Sequence, residues 1–168
     1  PLSNDVIFKY IRDNMLSSLS DESLNEIIVS SRGSLGYVLD MLDEKRAEEL
    51  LSSREKISSF AEALLSNDIS SYSMITSLFS MSRDALKELL SSALIAVRDM
   101  AVIKKDKNAT LCFYASREYV IKLASRHSLK MILGIYDAIE KGLYDFGSNS
   151  NVPNTLTSIL INAKKKGN

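Results

Sequence analysis

Hydrophobic residues recur three and four positions apart along most of this chain, which is the period of an α-helix with one buried face. Over roughly the first quarter the pattern predicts three short helices, joined by polar turns. Their apolar faces are formed by Val6, Ile7, Tyr10 and Ile11, then by Leu24, Ile27 and Ile28, and then by Leu35, Val38, Leu39 and Leu42.

The periodic segments become longer after a charged stretch, Asp43 to Glu49, at which we place a domain boundary. One helix should run from there to about Leu65, another from Arg83 to about Lys104, and a third from Ser128 to Phe146. Shorter helices are predicted around Met74–Phe79, after Ser116 and after Pro153. The predicted class is therefore all-α, with a three-helix domain at 1–43 and a five- or six-helix bundle at 44–168.

Three polar segments are predicted as a turn or loops: 66–71, 104–108 and 147–154. A weak alternation at Thr110 to Tyr114 is the one strand-like pattern. In the helix that begins at Arg83, the predicted buried face consists of Leu86, Leu90, Ala93, Val97 and Met100.

Residues suited to helix ends stand at several predicted boundaries. A serine hydroxyl just before a helix can accept a hydrogen bond from a free backbone N–H of the first turn. Gly33 stands where the second helix should end in a left-handed conformation, and Pro153 suits a first helical turn. The predicted serine caps are Ser3, Ser20, Ser34, Ser82, Ser116 and Ser128.

Composition excludes several classes of protein. Lys plus Arg and Asp plus Glu both number 21, and this balance argues against a dedicated nucleic-acid binder. The single cysteine, Cys112, cannot form a disulfide within the chain, which favours a reducing, cytoplasmic location. No apolar run approaches the length of about 20 residues that a membrane-spanning helix needs.

Candidate chemistry is sparse. The only histidine is His127, which we interpret as a surface or helix-end residue, and Cys112 is interpreted as a small buried residue rather than a nucleophile. No cluster has metal-ligand spacing, and no G-x-x-x-x-G-K-[ST] phosphate loop occurs. We therefore predict no catalytic residue, no metal and no cofactor. The run Arg32 to Gly36 precedes a helix and is interpreted as a helix–loop–helix corner.

Three features resemble the helical lid of the clamp-loader branch of the AAA+ ATPases. Pro1-Leu2-Ser3 opens the chain as the family's lids open, and a helix containing Tyr10-Ile11 follows. The run from Ser31 to Leu42 is similar to the family's "s-x-G-S-x-x-x-A-L-x-L-L" corner. This resemblance implies that a nucleotide-binding domain precedes Pro1 and that the chain is part of a longer protein.

The remainder, from about Lys45 to Asn168, is similar in layout to the family's collar domain. The family ends on a motif "N-x-N-x-x-L-x-x-E-x-L-L", which Asn149, Asn151 and the helix from Leu156 to Ile161 resemble. Ser158 or Ile159 stands where the family has glutamate.

One departure distinguishes among the clamp-loader subunits. Subunits that hydrolyse ATP carry G-S-x-R at the lid corner, and the arginine reaches the nucleotide phosphates. In this chain Gly33 and Ser34 are followed by Gly36 at the arginine position, so the nucleotide-sensing corner is degenerate. The resemblance then implies a non-catalytic subunit of the delta-prime type.

Such a subunit would assemble through its collar with gamma/tau and delta subunits into a ring that loads the sliding clamp on primed DNA. It would contact DNA only indirectly and would have no small-molecule substrate. Two alternatives remain open: the same region of a gamma/tau ATPase subunit, and an unrelated helical adaptor whose native start lies close to Pro1.

The helix from Ser128 to Phe146 is apolar on more than one side, which predicts either full enclosure or contact with a partner. Its main stripe comprises Leu129, Ile132, Tyr136, Ile139, Leu143 and Phe146. Met131, Ile135 and Tyr144 lie off that stripe, and we predict them as partner-binding residues.

Overall fold

The computed structural model describes residues 1–15, 19–66, 69–147 and 150–167. All regular secondary structure in these ranges is helical, which confirms the all-α class. The helices are α1 (Asn4–Asn14), α2 (Asp21–Ser31), α3 (Leu35–Leu42), α4 (Glu44–Leu65), α5 (Ile69–Ser77), α6 (Arg83–Lys105), α7 (Arg117–Ser125), α8 (Leu129–Gly147) and α9 (Val152–Gly167). None of these helices combines the length and the apolar composition needed to cross a bilayer.

The chain divides into two compact units, Pro1–Arg54 and Glu55–Asn168. The division falls inside α4, whereas the charge pattern predicts a boundary at Asp43 to Glu49. From Glu44 onward that charged stretch is the beginning of α4 itself, and most of its side chains are exposed. Three helices precede Glu44, and six begin at or after it within the described ranges.

The core of the first unit is small and is formed where α2 packs against α1 and against α3. In α1 the buried line is Ile7 and Ile11, four residues apart, while Val6 and Tyr10 are 53% and 44% exposed. The four-residue stripe predicted for α1 is therefore split between an inward and an outward face. The fully buried residues of this core are Ile7, Ile11, Leu24, Ile28 and Val38.

Serine capping is confirmed at five of the six predicted positions. The Ser20, Ser34, Ser82, Ser116 and Ser128 hydroxyls accept hydrogen bonds from backbone N–H groups three residues later. Ser3 occupies the capping position of α1, but its side chain makes no capping hydrogen bond. These bonds satisfy N–H groups that a helix start otherwise leaves without an acceptor.

The second unit is built around α8, which packs against both α6 and α9. Small residues allow the close approach of α9. A β-carbon placed on Gly142 would lie 2.4 Å from the Ile159 side chain, so only glycine fits there without movement. Gly134, Ala138 and Gly142 are buried and four residues apart, which places them in one row on α8.

The predicted face of α6 is confirmed, since its five residues are all buried. At the start of this helix, Arg83 binds the end of α8. Its guanidinium lies 4.2 Å from the centre of the Phe146 ring and donates to the carbonyl oxygens of Phe146 and Ser150, both at 2.6 Å. Arg83 thus satisfies one open carbonyl in the last turn of α8 and another that follows the helix.

All three predicted polar segments are shorter than the sequence indicates. In the segment 104–108, helix α6 continues to Lys105. In the segment 66–71, helix α5 already begins at Ile69, and the predicted turn residues Asn67 and Asp68 lie outside the described residues. In the segment 147–154, α9 begins at Val152, which confirms Pro153 in its first turn. The Asn151 side-chain oxygen accepts from the Asn154 N–H at 2.8 Å. Asn149, part of the resemblance, lies outside the described residues.

Candidate functional site

The corner between α2 and α3 packs against the first residues of the chain. Arg32 and Gly33 have φ values of 52° and 83°, so two successive left-handed residues end α2. The Leu2 N–H donates to the Gly33 carbonyl at 2.9 Å. A β-carbon on Gly33 would lie 2.5 Å from the Leu2 carbonyl oxygen, which excludes any larger residue in this arrangement.

Gly36 lies in the first turn of α3 and is exposed. Among the described residues, no heavy atom lies within 4 Å of a β-carbon built there, so these neighbours do not require glycine at this position. One residue later, the Tyr37 hydroxyl accepts from the Arg54 guanidinium at 3.0 Å, and that guanidinium lies 5.4 Å from the Tyr37 ring centre. This contact gives the half-buried Arg54 of α4 a partner on α3.

The three predicted partner-binding residues of α8 have different environments. Tyr144 is 79% exposed, Met131 is half-buried against the core, and Ile135 is 0% exposed. Ile135 is therefore corrected to a core residue. Ile135 lies seven residues before Gly142, which places it on the face of α8 that α9 covers. Hydrophobic periodicity does not show that the small residues of this face form a contact with another helix.

The buried carboxylate of Asp99, for which the sequence pattern gave no prediction, binds the loop after α6. Asp99 is 0% exposed. It accepts hydrogen bonds from three successive backbone N–H groups: Cys112 at 2.7 and 2.8 Å, Phe113 at 2.6 Å and Tyr114 at 3.2 Å. The Arg98 guanidinium adds a contact at 2.9 Å. The segment predicted as weakly strand-like is thus a loop bound to α6.

Arg98 strengthens the same attachment and defines the setting of Cys112. Its guanidinium donates to the Thr110 carbonyl at 3.0 Å and lies 3.3 Å from the Cys112 sulfur. Cys112 is exposed, which corrects the prediction of a buried role. The Cys112 backbone N–H is directed to Asp99 while its side chain remains at the surface. The sequence does carry a signal for Asp99, because it is an acidic residue on a face of α6 where Ala96 and Ile103 are buried and apolar.

A hydrogen-bonded cluster joins α4 to the start of α7. The Tyr119 hydroxyl donates to the Glu62 carboxylate and lies 3.4 Å from the Ser58 hydroxyl. Burial, followed by the hydrogen bond to Glu62, raises the pKa of Tyr119. Burial is also the main reason why the pKa of Tyr114 is raised. Both groups favour the neutral phenol, which suits packing rather than proton transfer near neutral pH.

His127 lies in the turn after α7 and is half-buried, which confirms the interpretation as a helix-end residue. Its pKa is lowered, first by burial and then by the nearby charges of Arg126 and Lys104. Within the described ranges, no group of three or more His, Cys, Asp or Glu side chains is placed to hold a metal.

Comparison with known proteins does not assign the chain to a family: no family model, no curated protein and no solved structure matches it.

Proposed function

We propose that this chain is the lid and collar part of a clamp-loader subunit of the delta-prime type. In this proposal it performs no catalysis in itself. It contributes a collar that joins gamma/tau and delta subunits in a ring, and that ring holds the ATPase domains while they open the sliding clamp in the cytoplasm. The proposal rests on the sequence resemblance, and several features of the two units support it.

The observation that carries the proposal is the contact between two separate parts of the resembling sequence. The opening Pro1-Leu2-Ser3 and the corner Arg32-Gly33-Ser34 are about 30 residues apart in sequence, yet the Leu2 N–H bonds to the Gly33 carbonyl. Gly33 is required by its positive φ and by its closeness to Leu2. A single packed corner would explain why both pieces occur together.

The glycine at position 36 supports the delta-prime type rather than the gamma/tau alternative. The space at the β-carbon position of Gly36 is open, so the described neighbours do not prevent a side chain from starting there. Packing therefore does not account for the missing side chain. Loss of a nucleotide-sensing arginine would account for it, because a subunit that does not hydrolyse ATP needs no cation at this corner.

Tyr144 supports a role for the collar in assembly. Tyr144 is 79% exposed on a helix whose opposite face packs into the core, which makes it a candidate for an interface anchor. In a ring, head-to-tail contacts require each subunit to present different surfaces to its two neighbours. Tyr144 would belong to one of these surfaces, and the half-buried Met131 is a second candidate.

Co-elution of the 168-residue chain with a gamma/tau subunit from the same genome tests the proposal. We expect one complex in size-exclusion chromatography, with Tyr144→Ala weakening association by about tenfold or more. Tyr72→Ala is the matched control, because Tyr72 is another exposed tyrosine, on α5 and 54% exposed. Separate elution at concentrations of about tens of micromolar would contradict the proposal.

A further inference from the structure

An apolar groove runs between α6 and α8 in the second unit, apart from Tyr144. It has a volume of about 270 Å³. Its lining is formed by Arg98, Val102 and Lys105 of α6 and by Leu129, Leu133 and Tyr136 of α8. Leu133 is 44% exposed, as is Ile95, which lies one turn before Arg98 on α6. This α6–α8 groove thus keeps apolar surface in contact with solvent.

Leu129 and Leu133 also line a second, more open depression on the other side of α8. Its remaining lining includes Lys130, Asp137 and Lys165. The two leucines are four residues apart, so they form a ridge on α8 with a depression on either side. A ridge of this kind can insert between the apolar side chains of another helix.

Positive charge surrounds this apolar surface, although the whole chain is neutral. Lys105, Lys130 and Lys165 are exposed around the two depressions, and Asp137 is the one carboxylate among the described residues that line them. Among the described residues none of these lysines forms an ion pair. Arg98 adds no net charge because it is paired with the buried Asp99.

We propose that the α6–α8 groove binds an amphipathic helix of a partner protein, with leucine-like anchors on one face and carboxylates flanking them. The apolar lining requires apolar anchors, and the lysine border selects negative charge beside them. An added strand is not an alternative, since no sheet edge exists in the described part of the chain. Helix-in-groove binding is the mode that such a surface supports. This inference is independent of the clamp-loader proposal.

The test uses the full chain and a fluorescent synthetic peptide of about 18 residues. The peptide carries leucines at helical spacing and glutamates on both sides of the stripe. We expect fluorescence anisotropy to show saturable binding. A scrambled peptide of the same composition and a peptide with lysine in place of glutamate should each bind at least about tenfold more weakly. Equal binding of all three peptides would overturn the proposal.

Matched variants locate the binding site. Leu133→Glu should weaken binding by about tenfold or more. Ile161→Glu is the control and should leave binding unchanged. Ile161 is similarly exposed, at 48%, but it lines a different depression, between α5 and α9. The double variant Lys105→Glu and Lys130→Glu should slow association and reduce its dependence on salt. Equal effects of the Leu133 and Ile161 variants would place binding elsewhere and overturn the proposal.

Two further arms separate other occupants from a helix. Anionic phospholipid vesicles and a single-stranded oligonucleotide are titrated against the same variants, and we expect no loss of binding that is specific to Leu133→Glu. A loss specific to Leu133 with either probe, but not with the peptide, would assign the groove to that class instead. If Leu133→Glu lowers the melting temperature, Leu133→Gln replaces it, with the same expected weakening.

Discussion

Replacing Asp99 with asparagine tests whether one carboxylate holds the loop after α6. The change keeps the size of the side chain but removes its charge and turns one acceptor into an NH₂ donor. Three backbone N–H groups converge on Asp99, from Cys112, Phe113 and Tyr114. All three N–H groups contact the same carboxylate oxygen, Oδ2, so an asparagine whose amide oxygen takes that place keeps three hydrogen bonds to a neutral acceptor. Its NH₂ group would then face the Cys112 N–H and the Arg98 guanidinium, which the other carboxylate oxygen contacts.

The expected magnitude follows from the weakening of these bonds. A hydrogen bond to a charged group contributes about 1.5–3 kcal/mol, and one to a neutral group about 0.5–1.5 kcal/mol. Weakening three bonds by about 1 kcal/mol each should therefore lower the free energy of unfolding by about 3 kcal/mol. A domain of this size is stable by about 5–15 kcal/mol, so the variant should remain folded but melt about 10 °C lower or more.

Urea unfolding of the wild type and of Asp99→Asn, analysed by linear extrapolation, measures this loss. Asp106→Asn is the control, because Asp106 also accepts a backbone N–H, that of Asn108 at 2.8 Å, but is exposed. Its cost should stay below about 1 kcal/mol. Hydrogen exchange should speed up selectively at Cys112–Tyr114 in the Asp99 variant. Equal stability of the two variants, with unchanged exchange, would refute the reasoning.

Further predictions concern the close contacts, the tyrosines and the nucleotide. Gly142→Ala should lower the free energy of unfolding in urea by about 1–3 kcal/mol, because its β-carbon would overlap the Ile159 side chain of α9. Gly147→Ala, with open space at its β-carbon position, should change this free energy by less than about 0.5 kcal/mol. Gly33→Ala should lower the melting temperature because of its positive φ and close neighbours, while Gly36→Ala should raise it slightly, since alanine favours a helix. The raised pKa of Tyr114 stabilises the fold below the unfolded pKa of about 10, and this contribution is lost as the pH rises above that value; Tyr114→Phe should therefore reduce the fall in melting temperature at alkaline pH. Calorimetry should detect no magnesium-dependent ATP binding by the chain, and micromolar binding would contradict the predicted lack of a nucleotide site.

Features that depend on neighbouring residues in sequence were predictable. The helical period identified an all-α chain and the buried face of α6, because side chains three and four positions apart share a face in any helix. Serine caps were predictable for a similar reason, since the hydroxyl and the N–H that it accepts lie only three residues apart, as at Ser82 and Ser116. The left-handed Gly33 belongs to the same group.

Tertiary structure decided which neighbour each face meets. The hydrophobic pattern of α8 is compatible with Ile135 either facing a partner or lying in the core. Ile135 is buried because α9 packs closely against α8 at Gly142. Asp99 is a further case, because its carboxylate accepts hydrogen bonds from backbone N–H groups that begin at Cys112, in a loop after the end of its own helix. Periodicity along a chain determines which residues share a face, but the partner of that face depends on contacts between segments that are distant in sequence.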